Sequence, residues 1–130
     1  MTIHEWIDAY AKAWREKDAD AAADLFTETA TYTSDPFGEP NVGQHGVRAY
    51  WSGVTATQEE VRVRFGRAIA SIDARRAAVE FWVTMVNGGV ELTLTGILFL
   101  RFDANGLCEQ LRETWNIAEG RSDPPPAWGS

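Results

Sequence analysis

The sequence predicts an α+β domain in which three N-terminal helices cover a strongly curved, mostly antiparallel sheet. Two observations carry this. Apolar residues recur at helical spacing up to Val54, and after Gln58 the period drops from about 3.6 residues to 2. The downstream strands are joined by short turns, the signature of a meander. Between the helical segments lies Ala30–Gly43, ATYTSDPFGEPNVG, which begins as a strand and breaks at Asp35-Pro36.

Thr2-Ile3-His4-Glu5 reads as a capping box, in which hydroxyl and carboxylate satisfy each other's backbone N–H. Ile3, Trp6, Ile7, Tyr10, Ala13 and Trp14 then form one face of an amphipathic helix. Lys17-Asp18 interrupts it, and Asp18 is suited to cap a shorter helix that buries Ala21, Ala22, Leu25 and Phe26. Thr29–Thr33, β-branched and aromatic, reads as a strand. A third helix carries Val47, Tyr50, Trp51 and Val54 on one stripe. Val61, Val63 and Phe65 alternate with arginines in the next strand, with Gly66 as the expected bulge. Strands over Ala77–Val86, Val90–Phe102 and Leu107–Ile117 follow, split by the hairpin signal Asn87-Gly88-Gly89 and the turn Asp103–Gly106. Strands apolar on both faces need cover on both sides. Helices supply one cover, and a homodimer through the sheet is the expected source of the other. Residues 119–130 form a Pro-rich tail with Trp128 as a candidate anchor.

The 130 residues suffice for one domain with a real core, and 45% hydrophobic content with six Trp means that aromatics must line something. A net charge of -7 without a basic run argues against nucleic acid and anionic membrane surfaces. No apolar run reaches the roughly 20 residues of a membrane span. The first residues carry neither a basic nor an apolar leader pattern, and the single cysteine excludes an intrachain disulfide; a cytoplasmic location is expected. Two histidines and one cysteine, far apart, offer no metal-ligand spacing.

The order helix–helix–strand–loop–helix–meander resembles the nuclear transport factor 2-like superfamily. Tyr10 with Asp18-Ala19-Asp20, Leu25-Phe26, Ala30-Thr31, Asp35-Pro36-Phe37-Gly38, Glu39-Pro40 and Gly43 resemble the N-terminal half of the ketosteroid isomerases and their SnoaL-like cyclase relatives. The resemblance covers residues 1–118. It implies a cone closed by helices around an apolar pocket for a small hydrophobic molecule, and three functions stay open: a cofactor-free isomerase, cyclase or dehydratase, a non-catalytic protein that sequesters or senses its ligand, or a dimeric interaction module whose pocket is incidental. In the isomerases a first-helix Tyr and a protonated Asp on the penultimate strand form an oxyanion hole, and a loop Asp moves the proton. Tyr10 matches the first and Asp35 the last. The position of the oxyanion Asp holds Leu98. Loss of one such donor costs about 10²–10³ in rate, so efficient steroid isomerisation is not expected.

Each candidate also has a plain structural reading. Asp35 at the mouth of an aromatic pocket would be driven toward its neutral form and could take a proton from a carbon acid; alternatively it starts a turn. Tyr10 could polarise a substrate carbonyl, or be a core tyrosine with a partner. Glu113 shares a strand face with Leu107, Leu111 and Trp115, so it sits on a mostly apolar wall. There it must be paired, protonated or functional. Asp35 and Glu113 are expected to face one pocket as base and acid. Alternation and stripe position assign its wall to Trp14, Phe26, Tyr32, Tyr50, Trp51, Phe81, Val83, Met85, Leu98, Leu100, Leu111 and Trp115, which could equally be core. His45 could shuttle protons or simply be solvated. Cys108 lacks a basic neighbour in sequence, and Arg62, Arg64 and Arg67 read as a solvated or interface face.

Overall fold

The computed structural model describes residues 1–130. Helix α1 (Ile3–Glu16) starts at the predicted capping box, with the Thr2 hydroxyl accepting from the Glu5 N–H and Glu5 answering back. It ends at Lys17, whose left-handed φ of 54° returns N–H bonds to Ala13 and Trp14. Asp18 caps α2 (Ala19–Ala23) through the Ala21 N–H. The buried side of α2 is Ala22 and Ala23; Phe26 already belongs to β1 (Phe26–Thr33). That strand starts three residues earlier than the sequence predicted because Cys108 N–H bonds to Leu25 O and draws the chain into the sheet.

The chain continues through β2 (Asn41–Val42), α3 (Gly43–Thr55), β3 (Gln58–Phe65), β4 (Ile69–Ala70), β5 (Arg76–Asn87), β6 (Val90–Phe102) and β7 (Cys108–Glu119). These form one curled, unclosed seven-stranded sheet in the order β2-β1-β7-β6-β5-β3, with β4 on β5. The pairing of β1 with β7 is parallel and every other pair is antiparallel. The two-residue strands β2 and β4 carry too few residues for a period to show. The β5–β6 hairpin turns on Gly88 and Gly89, both at positive φ (59° and 82°), as a two-residue loop requires.

Cross-strand register arranges the inner face in rows: Ala77–Leu100–Leu111, Val79–Leu98–Glu113, Phe81–Gly96–Trp115 and Val83–Leu94–Ile117. The first row is buried throughout, while in the last two the β7 members Trp115 and Ile117 are exposed. Packing is therefore dense at one end of the cone and opens along β7 at the other. Trp6 anchors the dense end: it is fully buried, stacks on Tyr10 at 5.0 Å, meets Phe26 and Phe102 edge-on, and donates its indole N–H to Leu25 O at 2.8 Å.

The bulge lies elsewhere than at Gly66. Pairing of β3 with β5 runs Gln58–Asn87 and Glu59–Val86, then resumes at Arg62–Thr84, so Glu60 and Val61 both oppose Met85. Glu60 takes the positive φ (51°). Gly66 instead makes room for the tail, its Cα lying against Gly129.

The tail crosses the outer face of the sheet. Thr93 Oγ1 donates to Gly120 O and accepts from Ser122 N, Trp82 Nε1 donates to Ser122 O, and Arg67 N donates to Gly129 O. Trp128 meets Trp82 edge-on at 5.8 Å and lies under the Arg64 guanidinium at 5.2 Å. Trp128 is thus an anchor, and Arg64 serves an internal interface. Part of the cover that the outer face needs comes from the chain itself; Phe99 remains 40% exposed there. Trp128→Ala removes an aromatic pair and a cation–π contact, so it should lower unfolding stability by about 2 kcal/mol. Urea denaturation should show a lower midpoint at unchanged slope, and an unchanged midpoint would mean that the tail is only laid on the surface.

Candidate active site

A cavity of about 240 Å³ opens between α1, α3 and the inner face of the sheet. Tyr10 reaches it from α1, Tyr50 and Trp51 from α3, and Tyr32 from β1, where alternation in β1 turns residues 30 and 32 inward. Glu113 comes from β7, opposite Leu98. Asp35 stands at the mouth, in the loop that Trp115 Nε1 pins by donating to Ser34 O at 3.2 Å.

Three of these side chains form one hydrogen-bonded chain. Tyr32 Oη donates to Glu113 Oε2 at 3.1 Å, and the Tyr10 and Tyr32 hydroxyls are 2.9 Å apart. Tyr32 has a single hydroxyl hydrogen. Given to the carboxylate, it leaves the Tyr32 oxygen to accept from Tyr10, so the chain runs Tyr10 to Tyr32 to Glu113. Both phenols are almost wholly buried, and burial first, then the nearby Glu113 charge, pushes each well above the ordinary tyrosine value. They donate hydrogen bonds and do not ionise. Tyr50 is raised as well, chiefly by burial.

Glu113 is the group that titrates. Desolvation pushes its carboxyl up to about 7, with the Tyr32 hydrogen bond pulling the other way. At neutral pH it is therefore divided between acid and base, the condition under which one carboxyl both gives and takes a proton efficiently. Asp35 differs. It is exposed, and its Oδ1 accepts from Phe37 N at 2.9 Å, closing the turn that the plain structural reading anticipated. Asp35 stands at the mouth, where the sequence expects it, and is the more exposed of the two carboxyls; Glu113 lies further in. Both carboxylates border the same cavity.

The predicted wall divides in two. Trp14, Tyr32, Tyr50, Trp51, Met85 and Trp115 line the cavity. Phe26, Phe81, Val83, Leu98, Leu100 and Leu111 do not: each is at most 4% exposed and packs in the core. Strand parity, which places all of these but Phe26, says which face a residue takes but not how far along the cone the packing stops; Phe26, assigned from a helical stripe, lies on β1 instead. Phe81, for instance, is capped by Trp14 at 5.8 Å and Phe65 at 6.4 Å.

The cavity also takes in Gln58, Ser34, Thr55, Asn87, Leu92 and Ile117, none of them singled out from the sequence. Gln58 had no legible signal, because the bulge that turns it inward is carried by an ordinary glutamate. Cys108 is fully buried and burial pushes its thiol up to about 12, so it is no nucleophile. His45 is exposed on α3 and does not border the cavity. No three His, Cys, Asp or Glu side chains cluster in a way that would hold a metal ion.

A family model described as a SnoaL-like domain matches residues 7–110. Among solved structures, the epoxide hydrolase/cyclase-like enzyme SalBIII of pyran ring formation in salinomycin superposes with a TM-score of 0.78 at 22% identity, over 90% of this chain and 95% of that one. A putative polyketide cyclase from Pseudomonas putida gives 0.73 at 22% identity, over 89% and 92%. A hypothetical protein with a ketosteroid isomerase-like fold from Catenulispora acidiphila gives 0.75 at 19% identity, over 88% and 86%. At these identities the likeness establishes the fold alone. No curated protein matches the sequence.

Proposed function

This chain belongs to the SnoaL-like domain family, and from that premise we propose that it is a cofactor-free acid–base enzyme acting on a small, apolar, ring-containing carbonyl compound. Its chemistry would be that of an isomerase, cyclase or dehydratase. The observation that carries this reading is the Tyr10–Tyr32–Glu113 chain, which ends in a carboxyl poised near neutrality on the wall of an aromatic cavity. Glu113 moves the proton. Tyr32 holds its carboxylate and, through Tyr10, spreads the charge that develops when the proton leaves. Asp35 at the mouth contacts the entering substrate and acts as the second acid–base group. The similarity to cyclase-like structures supports a small-molecule or cyclase role without naming a substrate.

The test is proton exchange α to the carbonyl of small bicyclic ketones in D₂O, followed by NMR. Wild-type protein should accelerate exchange, with a rate that rises through pH 7 as Glu113 ionises and then levels off. Glu113→Gln should lower the rate by about 10²–10⁴, and Asp35→Asn by less. Exchange that survives Glu113→Gln undiminished would leave Glu113 without a catalytic role.

A second reading has one observation of its own. Leu98, where the isomerases place their oxyanion acid, is 1% exposed and packed, so no second buried acid faces the substrate. This favours a pocket that sequesters a hydrophobic ligand without turning it over; tight binding unaffected by Glu113→Gln would select it. For either reading we propose a homodimer across the part of the outer sheet face that the tail leaves open, around Phe99. A cytoplasmic location is proposed as well. No helix is long and apolar enough to cross a membrane.

A further inference from the structure

We propose that Gln58 is a ligand-binding residue whose side-chain amide donates a hydrogen bond to an acceptor oxygen of the molecule held in the cavity. This deepens the pocket reading above and rests on it. Gln58 is 6% exposed and borders the cavity. Its Oε1 accepts from Trp14 Nε1 at 3.1 Å. An indole N–H can only donate, so the amide oxygen must be the atom facing Trp14, and the orientation of the amide is settled by chemistry. The –NH₂ then points away from Trp14. It makes no hydrogen bond within the protein, yet it is not sealed off from the cavity as a buried unsatisfied atom.

The backbone holds this donor in place. The Gln58 carbonyl accepts from Lys17 Nζ at 2.8 Å, and Gln58 pairs with Asn87 at the end of β3. The bulge decides which residue looks inward. Counting back by twos from Phe65, Val63 and Val61 would put Glu59 inside; the extra residue at Glu60–Val61 reverses the parity, so that Gln58 faces the cavity and both glutamates face solvent. A neutral, preoriented donor thus occupies a position where unbulged pairing would have placed a carboxylate.

The N–H is open to the cavity, so a ligand that fills the cavity without offering an acceptor would leave it buried and unpaired at a cost, and a ligand with an acceptor oxygen avoids that cost. Gln58 lies on β3 and Glu113 on β7, with β5 and β6 between them. The ligand class that fits is an apolar ring body with an acceptor oxygen, such as a ketone, lactone or ether, at the end remote from the group that exchanges a proton with Glu113. Trp14 and Trp51, packed edge-on against each other at 6.2 Å, both border the space that the ring would fill.

Two measurements test this with 1-tetralone and its deoxygenated mate tetralin as probes. In Gln58→Met, 1-tetralone should bind about tenfold more weakly while tetralin changes by no more than about twofold; Glu113→Gln should not reproduce that selective loss. In wild-type protein, so that the result does not depend on how the variant folds, the Gln58 side-chain NH₂ resonances should shift with 1-tetralone and not with tetralin. Equal weakening of both probes, or NH₂ signals that ignore the ketone while it binds, overturns the role of Gln58 and leaves the pocket reading standing. If neither probe binds wild-type protein, both readings fall together.

Discussion

Glu113→Gln should make the protein more stable at pH 8 and leave its stability at pH 4.5 nearly unchanged. The folded state holds the Glu113 proton up to about pH 7, whereas the carboxyl alone has a value of 4.5. Between those two values folding takes up a proton, so stability falls as pH rises, and the loss is complete above about 7. Glutamine keeps the shape and an acceptor for Tyr32 but never has to be charged. A shift of this size corresponds to a penalty on the order of 3 kcal/mol at pH 8. For a chain of this length that is roughly 10 °C in Tm. The net charge of -7 imposes its own pH dependence, but on both proteins alike, so the difference between the two melting curves isolates Glu113. A difference that stays flat from pH 5 to pH 8 would show an ordinary solvated carboxylate, and the proton-transfer reading would go with it. The penalty has a functional meaning: a carboxylate kept where ionisation is unfavourable destabilises the fold and is reactive for the same reason.

The sequence made Glu113 legible because β7 pairs without a break from Gln110 to Glu119; the register shift at Glu109 falls before that stretch and takes Leu107, which the sequence puts on the same face, out of line with it. Parity alone put it beside Leu111 and Trp115, and the register agrees. The capping box, the Asp18 cap and the Gly88-Gly89 hairpin were legible for a similar reason, since each is a local pattern with its own local chemistry. Three kinds of feature were not. The β3 bulge rests on Glu60 at positive φ, where any reading of the residues would look for glycine, and so the sequence pointed to Gly66 and away from Gln58. The parallel pairing of β1 with β7 joins segments some eighty residues apart, such as Tyr32 and Leu111, and no local signal announces it. That same pairing brings Tyr32 within reach of Glu113, so the central hydrogen bond of the site is a product of topology. Finally, the boundary between packed core and open cavity falls along rows that run across strands. Leu98 and Leu100 lie on its packed side, and nothing in their own strand marks this.

Gly96→Ala should be among the most damaging single substitutions in the chain, and the reason lies in how closely β6 and β7 approach beside the cavity. Gly96 sits mid-strand in β6, between Phe81 on one side and Trp115 on the other. A methyl group there would run into the carbonyl of Thr114, and the tip of the Phe81 ring would be 2.9 Å away. The Phe81 ring can rotate only against Trp14 and Phe65, which already enclose it. The Thr114 carbonyl belongs to a strand paired on both sides of this point and cannot withdraw without opening the ladder. Gly96 thus lies where β6 and β7 approach closely, beside Glu113 and Trp115, which border the cavity. Relief by moving β7 away would therefore displace residues of the site. A cost of about 4 kcal/mol or more is expected, a large part of the whole stability of a domain this size. Gly53 supplies the control. It lies in α3 with nothing within 4 Å of the added atom, and there the same change should stabilise by about 1 kcal/mol through helix propensity. Opposite signs for the two variants in one denaturation series are the expected result. If Gly96→Ala melts within a few degrees of wild type, the approach of the two strands is adaptable, and the cavity wall cannot hold Glu113 as rigidly as proton transfer requires.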